Sequence, residues 1–253
     1  MQIEQLERDI LVVTGTEYFS NATVFLSDQG ALLVDALASR NDAEELRRQL
    51  EQKEIAVRLF VLTHSFSDHL AALSCFPKVP IIAHARSQET HLMEQHVTDE
   101  EAAFYRAPNV LIQERLDIDW GRHHLELSHH PGHTPSALMI DVPDADLLLS
   151  GDVAVGNMAY VKYADVPALE RSLDWARTRA RTRVVQGHRG VSNSSCFARA
   201  QEYVSALRRW SRSDRRSDPS LETCLSPEVV GNEFEDFFHR RNVELIRHGS
   251  LEL

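Results

Sequence analysis

A chain of 253 residues suits one large α/β domain, or one domain with a helical appendage, and leaves little length for a second catalytic domain. Its 38 Asp and Glu against 27 Lys and Arg give a formal charge of −11, which argues against binding long nucleic acid through a general electrostatic surface. No apolar run nears the length of a bilayer span, and Met1 to Asp9 lack a basic region followed by an apolar one, so a cytoplasmic protein without a signal peptide or membrane partner is expected.

Residues 10–35 read as strands with a hairpin, in which Thr23-Val24-Phe25-Leu26 and Ala31-Leu32-Leu33-Val34 flank the turn Ser27-Asp28-Gln29-Gly30. A helix is expected from an Asn41 cap to about Gln52, with Leu46 and Leu50 on one face. A strand over 58–63 runs straight into Thr63-His64-Ser65-Phe66-Ser67-Asp68-His69, and a helix over 68–75 places Asp68 and His69 in its first turn. Val79-Pro80-Ile81-Ile82-Ala83-His84 reads as the next strand, with His84 structural, and residues 86–106 as charged helix. Further strands are expected near 110–114, 123–129, 137–142, 146–150 and 183–186, with helices near 166–180, 194–210 and 227–247.

The polar stretch from Ser211 to Ser220 reads as a linker between the last two helices. In the final helix, Val230, Phe234, Phe237, Phe238 and Val243 form an apolar stripe that covers the core, or alternatively a homodimer contact. Cys75, Cys196 and Cys224 are scattered and show neither a disulfide framework nor paired metal spacing. Two arginine runs, Arg177 to Arg183 and Arg208 to Arg216, read as solvated helix and linker faces rather than anion sites.

Four strand-to-loop junctions carry His or Asp. They are the His64 loop, the turn Pro131-Gly132-His133-Thr134-Pro135, the run Leu147-Leu148-Leu149-Ser150-Gly151-Asp152, and Arg183-Val184-Val185-Gln186-Gly187-His188. Singly, a His in a Pro-Gly turn or an Asp after Ser-Gly is more often a solvated or capping residue. Four such ends in this order favour a metal centre, and neutral imidazole with carboxylate suits zinc, and also iron or manganese.

In these residues the chain resembles the metallo-β-lactamase-fold hydrolases from about residue 8 to about 190. That family carries a His-x-His-x-Asp-His loop, a Pro-Gly-His-Thr-Pro turn, an Asp after a Gly and a late Gly-His, which fall here on His64, Asp68, His69, His133, Asp152 and His188. Asp35 matches the family's early aspartate, which supports the metal loop without ligating, and Phe238 to Glu244 resembles a closing helix of some members. The resemblance implies a four-layer αβ/βα sandwich over residues 1–193, with a C-terminal helical extension, 194–253, packed on the same domain.

One position departs from the family loop: its second His is Phe66. Family terms then leave the first metal site with His64, His133 and the bridging Asp152, and the second with Asp68, His69, His188 and the shared Asp152. Three consequences compete. One zinc occupies the complete second site, and His64 or His133, freed from ligation, acts as a base or orients water. Alternatively the two-His-one-carboxylate face holds iron. As a third case, His129 or His130 replaces the missing ligand. The first is favoured.

The expected protein is therefore a metal-dependent hydrolase of a small-molecule ester, thioester, lactone or amide, with one or two zinc ions, iron being possible, and with Asp68, His64 and His133 in catalytic roles. A non-haem iron oxygenase or redox enzyme and a non-catalytic binding member are the alternatives. Tyr160 or Asn157 is the candidate oxyanion donor, in a loop that also holds Met158 and Lys162.

Overall fold

The computed structural model describes residues 1–95, 97–179, 181–211 and 233–248. The first sheet begins as an antiparallel meander of β1 (Gln2–Glu7), β2 (Ile10–Thr14), β3 (Asn21–Ser27) and β4 (Gly30–Val34). After helix α1 (Arg40–Gln52), the strands β5 (Val57–Val61), β6 (Ile81–His84) and β7 (Val110–Ile112) add in parallel, giving the order β1-β2-β3-β4-β5-β6-β7. The short helices α2 (Ser87–Met93) and α3 (Asp99–Ala102) lie in the connection from β6 to β7.

The second sheet contains β8 (Arg115–Trp120), β9 (His123–His129), β10 (Leu138–Val142), β11 (Leu147–Gly151), β12 (Arg183–Gln186) and β13 (Val191–Ser192), ordered β13-β12-β11-β10-β9-β8. Helix α4 (Val166–Arg179) makes the right of way between the parallel pair β11 and β12, and α5 (Ser195–Ser211) and α6 (Glu233–Arg247) follow.

Three apolar layers hold these elements together. Phe25, Leu32 and Val61 of the first sheet meet Leu127, Ile140 and Leu149 of the second in the central layer. Leu46 and Leu50 of α1 pack on the outer face of the first sheet with Leu33 and Phe60. On the outer face of the second, Leu148 and Val184 share a layer with Leu173 of α4, Phe197 of α5 and Val243 of α6. The result is a four-layer αβ/βα sandwich, as expected.

Local chemistry shifts several expected boundaries. Helix α1 is capped by Ser39, not Asn41: the Ser39 hydroxyl accepts from the Asp42 backbone N–H at 3.2 Å. The helix expected over 68–75 is two 3-10 turns, Ser67–His69 and Ala71–Cys75. Its break has a cause, because the N–H groups of Ala71 and Ala72 donate to the carbonyls of Leu37 and Ala36 instead of to an α-helical ladder. The 86–106 stretch divides because Glu94 turns extended, and a Thr98–Glu101 capping box restarts it as α3. Strands β1, β8 and β13 go unforeseen; β1 is an exposed, polar edge strand with no buried periodicity to read.

The arginine run before β12 is only partly solvated. Arg181 binds the fully buried Asp141 at 2.7 Å, and Arg183 binds Glu7 at 2.7 Å and the Leu6 carbonyl at 3.1 Å. Ser211 closes α5. The rest of the expected linker, Arg212, Arg215, Arg216, Cys224 and Val230 lie outside the described residues.

Candidate metal centre and cleft

Strands β5, β11 and β12 all end at one edge of the sandwich, and their loops are stitched together by backbone hydrogen bonds. Leu138 N–H donates to the Thr63 carbonyl at 2.7 Å, Gly187 N–H to the Gly151 carbonyl at 3.0 Å, and Asn21 N–H to the Gly187 carbonyl at 2.7 Å. The His64 loop hangs on Asp35, a residue with φ of 58°. Its carboxylate accepts from the Thr63 backbone N–H and hydroxyl, each at 2.8 Å, and lies 3.3 Å from His69 Nδ1. That contact turns Nε2 of His69 inward.

All six expected ligands converge here. His64, His133 and Asp152 offer ligand atoms within 4.8 Å of one another, and so do Asp68, His69 and His188. Asp152 joins the two sets: its Oδ2 lies 3.0 Å from His188 Nε2 and 3.9 Å from His133 Nε2, and its Oδ1 lies 3.6 Å from His69 Nε2. His188 and His133 are aimed by their other nitrogens, Nδ1 of each facing a carbonyl, that of Tyr18 at 2.9 Å and of Tyr160 at 3.4 Å. Gly187 is the residue that permits this crowding: a Cβ there would stand 1.9 Å from Asp152 Oδ1 and 2.6 Å from His69 Cε1.

The electrostatics divide the histidines into two kinds. Burial lowers His64 well below the ordinary imidazole range, helped by neighbouring His69, and burial likewise lowers His133. For His69 and His188 burial acts in the same direction but is outweighed, by Asp68 and Asp152 for the first and by Asp152 for the second, so both are raised. Burial would raise Asp152, yet His188 and His69 hold it well below the carboxylate range.

Four buried atoms in this cluster, His64 Nε2, His69 Nε2, His133 Nε2 and Asp152 Oδ1, have no hydrogen-bond partner among the described residues. Such a cost is seldom left standing in a fold, and it is met here by what the donor set suits: imidazole nitrogens and carboxylates converging on a divalent cation. Phe66 takes the place of a further imidazole, its ring centroid 5.5 Å from His133 and 5.2 Å from Tyr163.

Other expected candidates stand elsewhere. His129 stacks on His84 at 3.7 Å with Nε2 facing the Pro135 carbonyl, and His130 lies against Trp175 with Nε2 facing Ser128 Oγ; neither is in the ligand sets. Asn157 accepts from Arg199 at 3.0 Å and does not line the cleft, and Met158 is core. A further set, Glu7, Asp9 and His123, lies at ligand range, but Arg122 hydrogen-bonds both carboxylates, making it an ion-pair network.

The cluster opens into a cleft of about 480 Å³ whose walls include Tyr18, Phe66, Glu94, Tyr160, Lys162 and Arg241. Sequence reasoning missed Glu94, Tyr163 and Arg241. Glu94 accepts from the Ser67 backbone N–H at 2.7 Å and hydroxyl at 2.8 Å, and burial, with the Asp68 charge, pushes its carboxyl up to about 7. No local motif marks it, since it sits in an ordinary charged helical stretch.

The family model of the metallo-beta-lactamase superfamily matches residues 15–188. A probable metallo-hydrolase, YqgX, of Bacillus subtilis (strain 168) is 26% identical over 144 residues, which is 53% of this chain and 65%, just under two thirds, of that protein. Among solved structures, a metallo-beta-lactamase from Pontibacter korlensis superposes with a TM-score of 0.67 at 17% identity, covering 81% of this chain and 98% of the other. A stereoselective inverting sec-alkylsulfatase, Pisa1 from Pseudomonas sp., superposes with a TM-score of 0.70 at 17% identity, covering 98% of this chain and 50% of the other. At these identities the structural likeness speaks for the fold.

Proposed function

The chain belongs to the metallo-beta-lactamase superfamily, and from that premise we propose that it is a metal-dependent hydrolase of a small-molecule ester, thioester, lactone or amide, working with one tightly held cation. Asp68, His69, Asp152 and His188 would hold that cation. The observation that carries the reading is the asymmetry around Asp152: three donors, Asp68, His69 and His188, converge on one side of it, whereas His64 and His133 face a phenyl ring where a third imidazole belongs in the family pattern. A divalent ion bound to such donors, zinc in the first instance, supplies a Lewis acid for a carbonyl and lowers the pKa of water it binds.

The chain's own residues do the rest. His64 and His133 keep neutral imidazoles whose Nε2 atoms are each able to accept a hydrogen bond from water entering the cluster. Asp68, partly exposed at the cleft floor and 3.6 Å from His188, orients that water. Phe66 and Tyr163 give the adjoining wall an apolar face that excludes bulk water, and the cleft volume of about 480 Å³ suits a small molecule rather than a polymer. Net reaction adds one water across the acyl bond and releases an acid with an alcohol, thiol or amine.

One observation favours a second reading. His64, His133 and Asp152 form by themselves a two-His-one-carboxylate set, an arrangement that suits non-haem iron. Hydrolysis is tested with purified protein on a panel of 4-nitrophenyl esters, thioesters, lactones and amides. Metal-dependent turnover that chelation abolishes and zinc restores supports the hydrolase. Absence of turnover on every class, with oxygen consumption and bound iron, moves the iron reading to first place.

A further inference from the structure

Helix α2 is built inside out. Its two buried side chains, Ser87 and Thr90, carry hydroxyls, whereas its leucine, Leu92, is 74% exposed. With Glu94, which closes the helix, Ser87 and Thr90 follow the spacing i, i+3 and i+7 and share one face. A helix with a polar inner face gains little from apolar burial, so specific hydrogen bonds must hold it to the fold.

Each bond from that face ends on a loop that carries a candidate ligand. Ser87 Oγ lies 2.6 Å from Ser65 Oγ, next to His64. Thr90 Oγ1 donates to Ser136 Oγ at 2.7 Å, in the turn that carries His133. Glu94 takes Ser67 with both carboxylate oxygens, Oε2 accepting from the backbone N–H at 2.7 Å and Oε1 from the hydroxyl at 2.8 Å. These serines and the threonine are all buried, so bulk water does not compete for the bonds. His91 stacks on Tyr105 with centroids 4.3 Å apart and planes at 6°, which ties the same helix to the loop after α3.

The His64 loop is therefore held from two sides. Asp35 holds its ends, at Thr63 and His69, and α2 with Glu94 holds its middle, at Ser65 and Ser67. The extended backbone alternates between the two: the His64 and Phe66 rings meet in the cluster, while Ser65 and Ser67 turn to α2. Ser67 then opens the 3-10 turn whose next residue is Asp68. The Asp68 carboxylate stands 3.7 Å from His69 Nε2 and 3.6 Å from His188 Nε2, wider than a hydrogen bond in both cases. Its place is set by the backbone that carries it, and Glu94 grips that backbone one residue earlier.

We infer that Glu94 is a positioning residue of the metal centre, acting through Ser67 to set Asp68, with α2 as the brace that carries it. Both Glu94 oxygens are engaged by Ser67, so the residue works on the loop and not as a ligand. This role rests on the cluster being the metal centre proposed above and is independent of the substrate class.

Metal binding tests this without substrate. Zinc affinity is measured by competition with a chromogenic chelator, and the cobalt-loaded protein is read by its d–d absorption, for the parent chain, Glu94→Ala, Glu94→Gln, Ser67→Ala and the double variant Glu94→Ala with Ser67→Ala. Glu94→Ala should weaken zinc by about 10–100-fold and shift the cobalt bands. Glu94→Gln should recover most of both, because its amide oxygen accepts from the Ser67 N–H and its amide NH2 donates to the Ser67 hydroxyl oxygen. The double variant should bind zinc no more weakly than Glu94→Ala alone, as expected when one residue acts through the other. Thermal melts and circular dichroism follow folding separately. A lower Tm in Glu94→Ala with unchanged zinc affinity and cobalt bands overturns the inference, since the bonds would then serve stability alone. Equal losses in the Ala and Gln variants also overturn it, because charge and not the hold on Ser67 would be at work. Absence of zinc and cobalt binding by the parent chain sinks the metal centre and this role with it. Zinc binding without turnover on any acyl class sinks the hydrolase and leaves the role of Glu94 standing.

Discussion

Phe66 stands edge-on to His64, with ring centroids 5.2 Å apart and planes at 76°, so an aromatic hydrocarbon borders one imidazole of the cluster on the side where the family pattern has another imidazole. Restoring that imidazole with Phe66→His completes a three-His set with His64 and His133, beside the set of Asp68, His69 and His188. The expected outcome is a rise in metal per chain, by elemental mass spectrometry, with kcat/KM on the best panel substrate unchanged or lower. A large gain in activity would mark the chain as a degraded two-cation enzyme.

Asp35 is predicted to support the centre without touching a cation. Asp35→Ala leaves the buried Thr63 N–H and hydroxyl without their acceptor, at a cost of about 2–5 kcal/mol for the pair. It also frees His69 to turn, weakening metal binding by about 10–100-fold. Asp35→Asn, which keeps an acceptor oxygen and tolerates the positive φ of 58°, should lose less of both. Thermal melts and competition with a chromogenic chelator read the two effects; equal losses in both variants would contradict the assignment.

Gly187 sets the spacing of the whole cluster. Gly187→Ala drives a methyl into Asp152 Oδ1 and His69 Cε1, so either the loop shifts or the ligands do. A stability loss of about 1–3 kcal/mol is expected, together with loss of bound metal. A fully metallated Gly187→Ala protein with unchanged Tm would show that the site is looser than its geometry implies.

His130 carries a pH signature remote from the centre. Burial, with His129 beside it, lowers its imidazole to about 4, so folding favours the neutral form. The stability this contributes is complete above about pH 6.5 and is lost as pH falls towards 4, by at most about 3 kcal/mol. His130→Gln should flatten the acid limb of Tm against pH over that interval while leaving metal content unchanged. A fall in metal content would reinstate His130 as a ligand.

The strand ends and their His and Asp residues are legible in the sequence because each sits where an apolar run stops, and such runs have one structural reading when they recur in order. The α/β sandwich follows from the same alternation. What stayed hidden depends on tertiary contacts. The 3-10 turns after His64 exist because carbonyls of residues 36 and 37 capture two N–H groups, a long-range event. Glu94 and Arg241 reach the cleft only through the path of α2 and α6. Asn157 failed for the converse reason: it follows the right strand, but Arg199 holds its side chain.

Metal stoichiometry tests the central claim most directly. Elemental mass spectrometry on untagged protein, purified without chelator, should find about one divalent ion per chain, abolished in Asp68→Ala and retained in His64→Ala. Two ions per chain, or full metal content in Asp68→Ala, would contradict a single cation held by Asp68, His69, Asp152 and His188.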